Sequence, residues 1–545
     1  MSLIGRAVGP VLGMPPARTR KVRVRRGVPI PMDDGVTLFA DHFAPVDDPC
    51  APLVLVRTPY DRASNGFYLR LLAERGYQAL IVNLRGTAGS GGRFSAFRLE
   101  PGDGPSVVRW LRGQPWFPGA FATWGASFLG YSQWELATEP IPEWKAAFIL
   151  DAPSEVYDTF MYRGGVFTLE DWLGWTQGMA TADLPSSMLG ALLSMRKERR
   201  RRRHAVDALP VTDADRLATG RTVDFFQRWL HTPGPWPETD FRGHVDAMPP
   251  VVYQVGGWQD LFLPGTMADH RALVRSGRQV RLRVGPWTHG RGLFDKQTSR
   301  DLFTVLDHSL RGIGELPSAP VRLFVTGDEN GEGTWREFDR WPPAAYRSRA
   351  WYLSGDGGLS TSPPRPEESP EPSCYRYDPR RPTPSVGGPL LRNAGVRDNR
   401  QPERRDDVLV FTGPVLSDAL EIIGEPEAEI RLRSSRVHTD VFVRLCDVHP
   451  NGRSANVCDG IVRLGEHDPM TADGVRGARV LLWPTAHVFD AGHRVRLQVS
   501  SGAHPRYLRN LGTGDQLGTE TLAVDQEVLH DRDHPSAIRL PERVR

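Results

Sequence analysis

Cysteine and lysine are both scarce in this chain of 545 residues. It has four cysteines, at positions 50, 374, 446 and 458, which are too few and too scattered for a disulfide scaffold or a CxxC metal site. Lysine occurs only at positions 21, 145, 197 and 296, so arginine carries nearly all of the positive charge. The cysteine pattern fits a reducing compartment, and we expect a cytoplasmic protein.

Long apolar runs are also missing. No stretch of the sequence approaches the roughly 18 apolar residues that a membrane span needs. The apolar stretch Ala7–Met14 is interrupted by glycine and proline and is not followed by a clear small-residue cleavage site, so we expect no secretory signal. The hydrophobic share of 39%, with 15 Trp and 22 Phe, is nevertheless enough to bury sizeable cores, and the length predicts two or three domains.

The net charge of +3 is small for this length, and one dense basic run stands out at Arg196–Arg203, followed by His204. Such a run could attract phosphates or acidic lipid. No aromatic residues interleave with its arginines, as single-strand nucleic-acid binding would require. A solvated helix face or loop is the better interpretation, so we expect neither a nucleic-acid partner nor a membrane.

The first part of the chain alternates strand and helix patterns. Residues 53–56 and 79–82 are short continuous apolar runs, and the helix-compatible residues 67–75 lie between them. Similar apolar runs return at residues 250–255 and 280–284. Continuous apolar runs joined by helices are typical of buried parallel strands with crossover helices. The sequence therefore predicts one α/β sheet assembled from two separated stretches of chain.

The rest of the chain has a different character. Residues 151–244 carry Leu, Met and Trp at helical spacing, including Trp172 and Trp175, and lack β-branched runs, so we predict a helical insertion. Residues 360–401 are rich in Pro, Gly and Ser and predict extended loops. Short alternating segments after them predict an all-β sandwich or jelly roll. The predicted domains are an α/β domain at 1–150 and 245–345, a helical cap at 151–244 and a jelly roll at 346–545.

The segment Trp124–Gly130 contains the strongest local motif. Ser127 lies between Gly125 and Gly130, and small residues on both sides allow a sharp turn between a strand and a helix. The spacing is GxSxxG rather than the commoner GxSxG, and an isolated string of this kind is often only a glycine turn. Its position after a buried strand and before a helix start near Gln133 favours a nucleophile.

A serine hydroxyl needs a base and an orienting carboxylate before it can act as a nucleophile. Asp260 follows one predicted strand in Gly256-Gly257-Trp258-Gln259-Asp260, and His289 follows another in Gly285-Pro286-Trp287-Thr288-His289-Gly290. Taken singly, the aspartate could cap a helix and the histidine could be a packed aromatic. The order Ser, Asp, His at strand ends of one sheet predicts a catalytic triad.

Two donors could stabilise an oxyanion beside this serine. The backbone N–H of Phe128 follows the nucleophile directly, which is the usual place for one donor. The Tyr60 hydroxyl, within Arg57-Thr58-Pro59-Tyr60-Asp61-Arg62, could supply the second. On that string alone, an ordinary loop aromatic is the better interpretation of Tyr60.

The motifs RTPYDR, GASFLGYSQWELA, GGWQD and GPWTHG, in this order, resemble the CocE/NonD hydrolase family. The resemblance covers nearly the whole chain and includes motifs of the family's jelly roll near Asp440, Asp447, Asp459 and His493. It implies an α/β-hydrolase fold with a helical cap insertion and a C-terminal all-β jelly-roll domain. It also implies Ser127 as nucleophile, Asp260 as acid, His289 as base, and an oxyanion hole of the Tyr60 hydroxyl and the Phe128 N–H.

Two positions depart from the family pattern. Phe128 stands where the family often has tyrosine, and the change should be tolerated because the donor is a backbone N–H. Residues 261–264 are apolar, whereas the α-amino acid ester hydrolases of the family place further acids there, so an aminated acyl group is disfavoured. The apolar residues Trp172, Trp175 and Phe262 suggest an uncharged or aromatic acyl group.

Several alternatives stay open at this point. The favoured reading is a serine hydrolase of a small-molecule ester or amide, but an X-Pro dipeptidyl-peptidase would share the same machinery. A non-catalytic protein with a carbohydrate-binding jelly roll belongs to another class. We expect no cofactor and no metal, because no histidine and carboxylate spacing resembles a zinc site. A homodimer is plausible by resemblance alone.

Overall fold

The secondary structure comes from a computed structural model that describes residues 9–100, 102–181, 188–232, 234–327, 333–365 and 371–544. In chain order the α-helices are α1 (Arg62–Glu74), α2 (Asp103–Arg112), α3 (Phe128–Trp134), α4 (Leu169–Thr181), α5 (Met188–Ala205), α6 (Ala214–Thr219), α7 (Asp224–His231), α8 (Leu263–Arg275) and α9 (Lys296–Arg311). Short 3-10 helices include Glu135–Thr138 directly after α3.

The strands fall into an early group and a late group. In chain order they are β1 (Val22–Pro31), β2 (Thr37–Pro45), β3 (Leu53–Thr58), β4 (Gln78–Asn83), β5 (Phe121–Ala126), β6 (Trp144–Leu150), β7 (Tyr162–Arg163), β8 (Val166–Phe167), β9 (Val251–Gln259), β10 (Gln279–Thr288), β11 (Val321–Val325), β12 (Thr334–Phe338), β13 (Tyr346–Leu353), β14 (Leu359–Ser360), β15 (Ser373–Tyr377), β16 (Val408–Thr412), β17 (Leu420–Gly424), β18 (Glu427–Ser434), β19 (Thr439–Val448), β20 (Ser454–Leu464), β21 (Arg476–Leu481), β22 (Thr485–Phe489), β23 (Arg494–Ser500), β24 (Val524–Leu529) and β25 (Ala537–Arg543).

The chain divides into two units, Met1–Tyr157 with Gly234–Arg322, and Asp158–Pro233 with Leu323–Arg545. Residues 158–233, most of the predicted helical insertion, thus belong to the same unit as the C-terminal β region. Residues 182–187 of that insertion lie outside the described residues. The three-part division with its boundaries stays a prediction.

Eight strands of the first unit form one sheet in the order β1-β2-β4-β3-β5-β6-β9-β10. The pairs from β4 to β10 along this order are parallel, and β1 and β2 extend the sheet by antiparallel pairing. Strands β3 and β4 are buried along their whole length, as their continuous apolar runs predict. Parallel pairing brings the carboxyl ends of β5, β6, β9 and β10 to one edge of the sheet.

The core of the first unit lies between this sheet and the helices that cross it. Leu69 and Leu72 of α1 and Leu302 and Leu306 of α9 pack in one cluster with strand residues such as Val56. All five side chains are essentially excluded from solvent. Burial of these apolar faces fixes the strand ends that carry the candidate site residues.

The described part of the second unit contains the helices α4 to α7, the two-stranded antiparallel sheet β7-β8 and two larger antiparallel sheets. One sheet has nine strands, with the path β14-β13-β25-β18-β24-β15 and side branches through β17, β21 and β22, and the other runs β16-β23-β19-β20. The all-β character predicted for the C-terminal region is therefore observed. The jelly-roll assignment of this region stays a prediction.

Two local predictions differ from the structure. The helix after Ser127 begins at Phe128 rather than near Gln133. Within residues 360–401, predicted as loops, β15 spans Ser373–Tyr377 and pairs with β24. Tyr375 and Tyr377 are buried, whereas Cys374 and Arg376 are exposed, a period of two that the surrounding prolines obscure. Among the described residues, none of the helices combines the length and the hydropathy needed to cross a bilayer.

Candidate active site

Ser127 occupies a strained turn between β5 and α3. Its backbone has φ 58° and ψ −128°, a left-handed conformation that non-glycine residues rarely adopt. Its N–H donates to the carbonyl of Leu150 on the neighbouring strand, at 2.9 Å. The side chain is half-buried, which leaves part of it open to solvent, as a nucleophile requires.

The GxSxxG spacing has a steric cause in this turn. A β-carbon on Gly125 would lie 2.5 Å from the backbone of Leu129, and one on Gly130 would lie 2.6 Å from the β-carbon of Ala152. Both distances are too short for any side chain. The first glycine allows α3 to pass close to β5, and the second allows α3 to pack against the chain that follows β6.

Asp260 and His289 form the second part of the site. Asp260 follows β9 and His289 follows β10, and the His289 Nδ1 lies 2.6 Å from the Asp260 Oδ2. The other carboxylate oxygen of Asp260 accepts the backbone N–H of Phe262 at 2.7 Å. The Asp260 side chain is fully buried and 12% of the His289 side chain is exposed. The carboxylate is thus fixed in place, and the imidazole reaches the surface.

The loop that carries Tyr60 is held by a polar network. The Tyr60 N–H donates to the Thr58 hydroxyl at 3.1 Å, and its carbonyl accepts from the Asn83 side chain at 2.7 Å. Arg62 donates to the Asn83 side chain at 2.8 Å and to Asp41 at 2.8 Å. These contacts explain Thr58 and Arg62 of the motif RTPYDR, and they fix the backbone that carries the half-buried Tyr60 side chain.

Phe128 begins α3 directly after Ser127. The first N–H groups of a helix have no acceptor within the helix and lie at the positive end of its dipole. The Phe128 ring is buried among Phe94, Phe97 and Tyr131. The ring therefore anchors the start of the helix, and tyrosine is not needed at this position for that purpose.

Comparison with known proteins gives consistent results over both units. Residues 34–291 match the family model of the X-Pro dipeptidyl-peptidases (S15 family), and residues 316–539 match the model of the X-Pro dipeptidyl-peptidase C-terminal non-catalytic domain. A cocaine esterase of Rhodococcus sp. (strain MB1 Bresler) is 30% identical, over 95% of this chain and 98% of the relative. The chain belongs to the CocE/NonD family. It is a serine hydrolase.

Solved structures support the same fold. An α-amino acid ester hydrolase superposes with a TM-score of 0.82 at 22% identity, covering 97% of this chain and 98% of the other. An aminopeptidase from a marine sediment Thaumarchaeota archaeon superposes with a TM-score of 0.80, also at 22% identity and with the same coverage. The fold is that of an α/β-hydrolase followed by a β domain, as the family resemblance implied.

The three predicted substrate-binding residues of this CocE/NonD chain lie in different units. Phe262 is buried in the first unit and packs edge-on against His289, with ring centroids 5.4 Å apart. Trp172 and Trp175 lie on α4 in the second unit, where Trp172 is fully buried and stacks on Trp229 at 5.1 Å. Phe262 thus contacts the predicted base, and a substrate role for all three residues stays a prediction.

Asp151 is a site residue that the sequence reasoning missed. It follows β6, is 2% exposed, and accepts the N–H of Gly290, the residue after His289, at 2.9 Å. Burial and the nearby charge of Asp260 raise the pKa of Asp151 well above its ordinary value. The signal that could have found it is the one that marked Asp260, an acid directly after a continuous apolar run.

Two groups of side chains have the spacing of metal ligands among the described residues. One is Asp151 with Asp260 and His289, and the other is Asp447 with His449 and His493 in the second unit. In the second group, Asp447 already accepts hydrogen bonds from His493 at 2.8 Å and from His487 at 3.2 Å. The family's C-terminal motifs near Asp447 and His493 therefore form a hydrogen-bonded cluster, and the absence of a cofactor stays a prediction.

Another C-terminal motif residue forms a buried charge centre. Asp459 on β20 is fully buried and accepts hydrogen bonds from Arg444 at 2.8 Å and from Arg506 at 2.6 Å. Burial opposes ionisation of this carboxyl, but the two guanidinium groups outweigh it and hold the pKa of Asp459 below its ordinary value. Next to it, a β-carbon on Gly460 would lie 2.2 Å from the Leu481 carbonyl oxygen, which explains the Asp-Gly pair.

Proposed function

We propose that this chain cleaves a carboxylic ester or amide through an acyl-enzyme on Ser127, with His289 as the base and Asp260 as its orienting acid. The observation that carries the proposal is the 2.6 Å contact between His289 Nδ1 and Asp260 Oδ2. It lies at the sheet edge where Ser127 adopts its strained turn. A histidine oriented by a buried carboxylate, beside a serine held in this way, is the arrangement that activates a hydroxyl.

The reaction proceeds in two steps. The Ser127 oxygen attacks the substrate carbonyl carbon while His289 accepts the hydroxyl proton, and Asp260 keeps the other ring proton on Nδ1. The Phe128 N–H and the Tyr60 hydroxyl donate to the developing oxyanion, each contributing about 3 kcal/mol to lowering the barrier. His289 then protonates the leaving group, and it afterwards activates the water that releases the acyl group.

The proposed substrates are esters with an uncharged acyl group. Leu261, Phe262 and Leu263 directly follow the acid of the triad and are all buried and apolar, so they offer nothing to hold a substrate ammonium. The relative at 30% identity is named a cocaine esterase, which favours ester cleavage. We propose that Phe262, Trp172 and Trp175 bind the substrate.

Replacement of the nucleophile tests the proposal. Ser127→Ala should lower turnover of a p-nitrophenyl ester by several orders of magnitude, because it removes the hydroxyl that forms the proposed acyl-enzyme. It should also abolish labelling by a fluorophosphonate probe. The matched control is Ser417→Ala, at an exposed serine of the second unit, which should behave as wild type. Retention of more than a tenth of wild-type turnover in Ser127→Ala contradicts the assignment.

An X-Pro dipeptidyl-peptidase is the second candidate. It is favoured by the two family models, which match residues 34–291 and 316–539. Both candidates use the same acyl transfer and differ in the acyl group that the pocket admits. Parallel assays with Xaa-Pro p-nitroanilides and simple acyl esters separate them, and a preference of more than about tenfold, or 1.4 kcal/mol on the barrier, decides between the two.

We further propose that the reaction takes place in the cytoplasm. All four cysteines are free thiols, which supports a reducing compartment. The proposed partner is a small-molecule ester or amide, and a homodimer is expected from the family resemblance alone.

A further inference from the structure

Asp151 lies at the centre of the sheet edge that carries the site. It follows β6, which lies between β5, the strand before Ser127, and β9, the strand before Asp260. The Asp151 N–H donates to the Val255 carbonyl of β9 at 2.9 Å, just as the Ser127 N–H donates to Leu150 of β6. The sheet therefore places this carboxyl between the nucleophile and the assigned acid.

The Asp151 side chain points toward the histidine loop. One of its oxygens accepts the Gly290 N–H at 2.9 Å. A carboxylate oxygen of Asp151, one of Asp260 and a ring nitrogen of His289 all lie within 4.8 Å of one another. The backbone of Asp151 has φ 46°, a strained value for a non-glycine residue that persists only where surrounding contacts enforce it. Asp151 is thus close enough to His289 to take over the role of Asp260 as its charged partner.

Two buried carboxyls at this separation hold one negative charge more readily than two. The Asp260 carboxyl accepts hydrogen bonds from His289 and from the Phe262 N–H, whereas the one hydrogen bond described for the Asp151 carboxyl comes from the Gly290 N–H. Burial and Asp260 raise the pKa of Asp151, and His289 opposes them only in part. Asp151 therefore keeps its proton to a higher pH than an ordinary aspartate does.

We propose that Asp151 is a second acid of the site, which positions His289 through Gly290 in its neutral form and supplies the counter-charge to His289 when Asp260 cannot. This inference rests on the proposed function. A purely structural carboxyl would only anchor the loop, and its ionisation would not affect turnover. The two roles differ in their pH dependence once Asp260 is removed.

The test compares Asp260→Ala with the double variant Asp260→Ala/Asp151→Asn. Alanine is chosen because asparagine at position 260 could donate to His289 and fix the wrong tautomer. Without the neighbouring charge, Asp151 should lose its proton as the pH rises and pair with the imidazolium. The ratio of kcat/KM between the single and the double variant should be near one at acid pH and reach at least about tenfold at alkaline pH, equal to 1.4 kcal/mol.

Asp269→Asn in the Asp260→Ala background is the matched control. Asp269 is also buried with a raised pKa, but it contacts Ser154 rather than the histidine loop. The ratio of kcat/KM between Asp260→Ala and Asp260→Ala/Asp269→Asn should not change with pH. The proposal is overturned if the kcat/KM ratio for the Asp151 pair of variants does not change with pH, or if the ratio for the Asp269 pair rises equally. Activity retained by Ser127→Ala would instead overturn the proposed function, so the two failures are distinguishable.

The positioning role has its own test, which does not depend on the folding of Asp260→Ala. Asp151→Ala removes the acceptor of the Gly290 N–H and should lower kcat about tenfold with little change in KM, because the histidine loop loses its anchor. Asp151→Asn keeps an acceptor and should recover at least about half of that loss on a logarithmic scale. Equal kcat values for the two variants contradict the positioning role.

Discussion

Among the buried carboxyl groups of the two units, Asp459 differs from Asp151 and Asp269 in its partners. In the second unit, Asp459 is ionised and lies between Arg444 and Arg506. In the described part of the first unit, the hydrogen-bond partners of Asp151 and Asp269 carry no charge. Burial therefore raises the pKa of both, that of Asp269 to about 7.

This difference separates stability from function. A buried acid between two arginines keeps its charge to a lower pH than an ordinary carboxyl does, so it fixes structure across the neutral range. A buried acid whose charge is cancelled by a proton can gain or lose that proton near neutral pH. Asp151 and Asp269 are therefore expected to respond to pH, whereas Asp459 is expected to keep its charge.

The largest expected effect is on the fixed acid. Asp459→Ala leaves the buried guanidinium groups of Arg444 and Arg506 without their shared counter-charge, so the free energy of unfolding should fall by about 3–5 kcal/mol. Urea unfolding followed by tryptophan fluorescence measures it. A loss of unfolding free energy below about 1 kcal/mol would remove the contrast between Asp459 and the buried acids that have no charged partner.

A change at the sheet edge should act on chemistry rather than on stability. Tyr60→Phe removes the proposed oxyanion donor and should lower kcat about 100-fold, since the lost hydrogen bond strengthens only as charge develops. Its urea midpoint should match that of wild type. Steady-state kinetics on a p-nitrophenyl ester measures the effect, and a change confined to KM contradicts the role of Tyr60.

The proton on Asp269 predicts a specific pH dependence of stability. The folded protein holds this proton up to about pH 7, whereas the unfolded chain releases it near its ordinary value of 3.8. Stability is therefore lost as the pH rises through this window, by up to about 1.4 kcal/mol for each pH unit. Asp269→Asn removes this titration, so the free energy of unfolding of wild type minus that of the variant should fall from about pH 4 to pH 7. If the free energies of unfolding of wild type and Asp269→Asn changed with pH in parallel, the Asp269 carboxyl would not retain its proton.

The smallest effect is expected for an exposed ion pair. Arg112 and Glu143 form a two-point contact at 2.9 and 3.1 Å, with 44% and 22% of their side chains exposed. Glu143→Gln should cost less than about 1 kcal/mol in urea unfolding, because solvent screens the pair. A loss as large as that of Asp459→Ala would mean that pairing, not burial, determines the contribution of these acids.

The sequence predicted which residues follow the strands of the site, but it did not predict which strands are neighbours in the sheet. Continuous apolar runs before Ser127, Asp260 and His289 marked those ends directly. Asp151 has the same local signal, but its importance depends on β6 lying between β5 and β9, and strand order is not encoded in any local pattern. The Asp459–Arg506 contact joins residues 47 positions apart and is hidden for the same reason.

The tight turn at the nucleophile constrains how this sequence can change over time. The Leu129 backbone fills the space that a β-carbon of residue 125 would need, and Ala152 does the same for residue 130. In a library that randomises every codon of residues 124–130 and selects for hydrolysis, survivors should retain glycine at both positions. Those two codons record a close approach of helix to sheet, and a larger residue at either position would displace the Ser127 hydroxyl that we propose as the nucleophile.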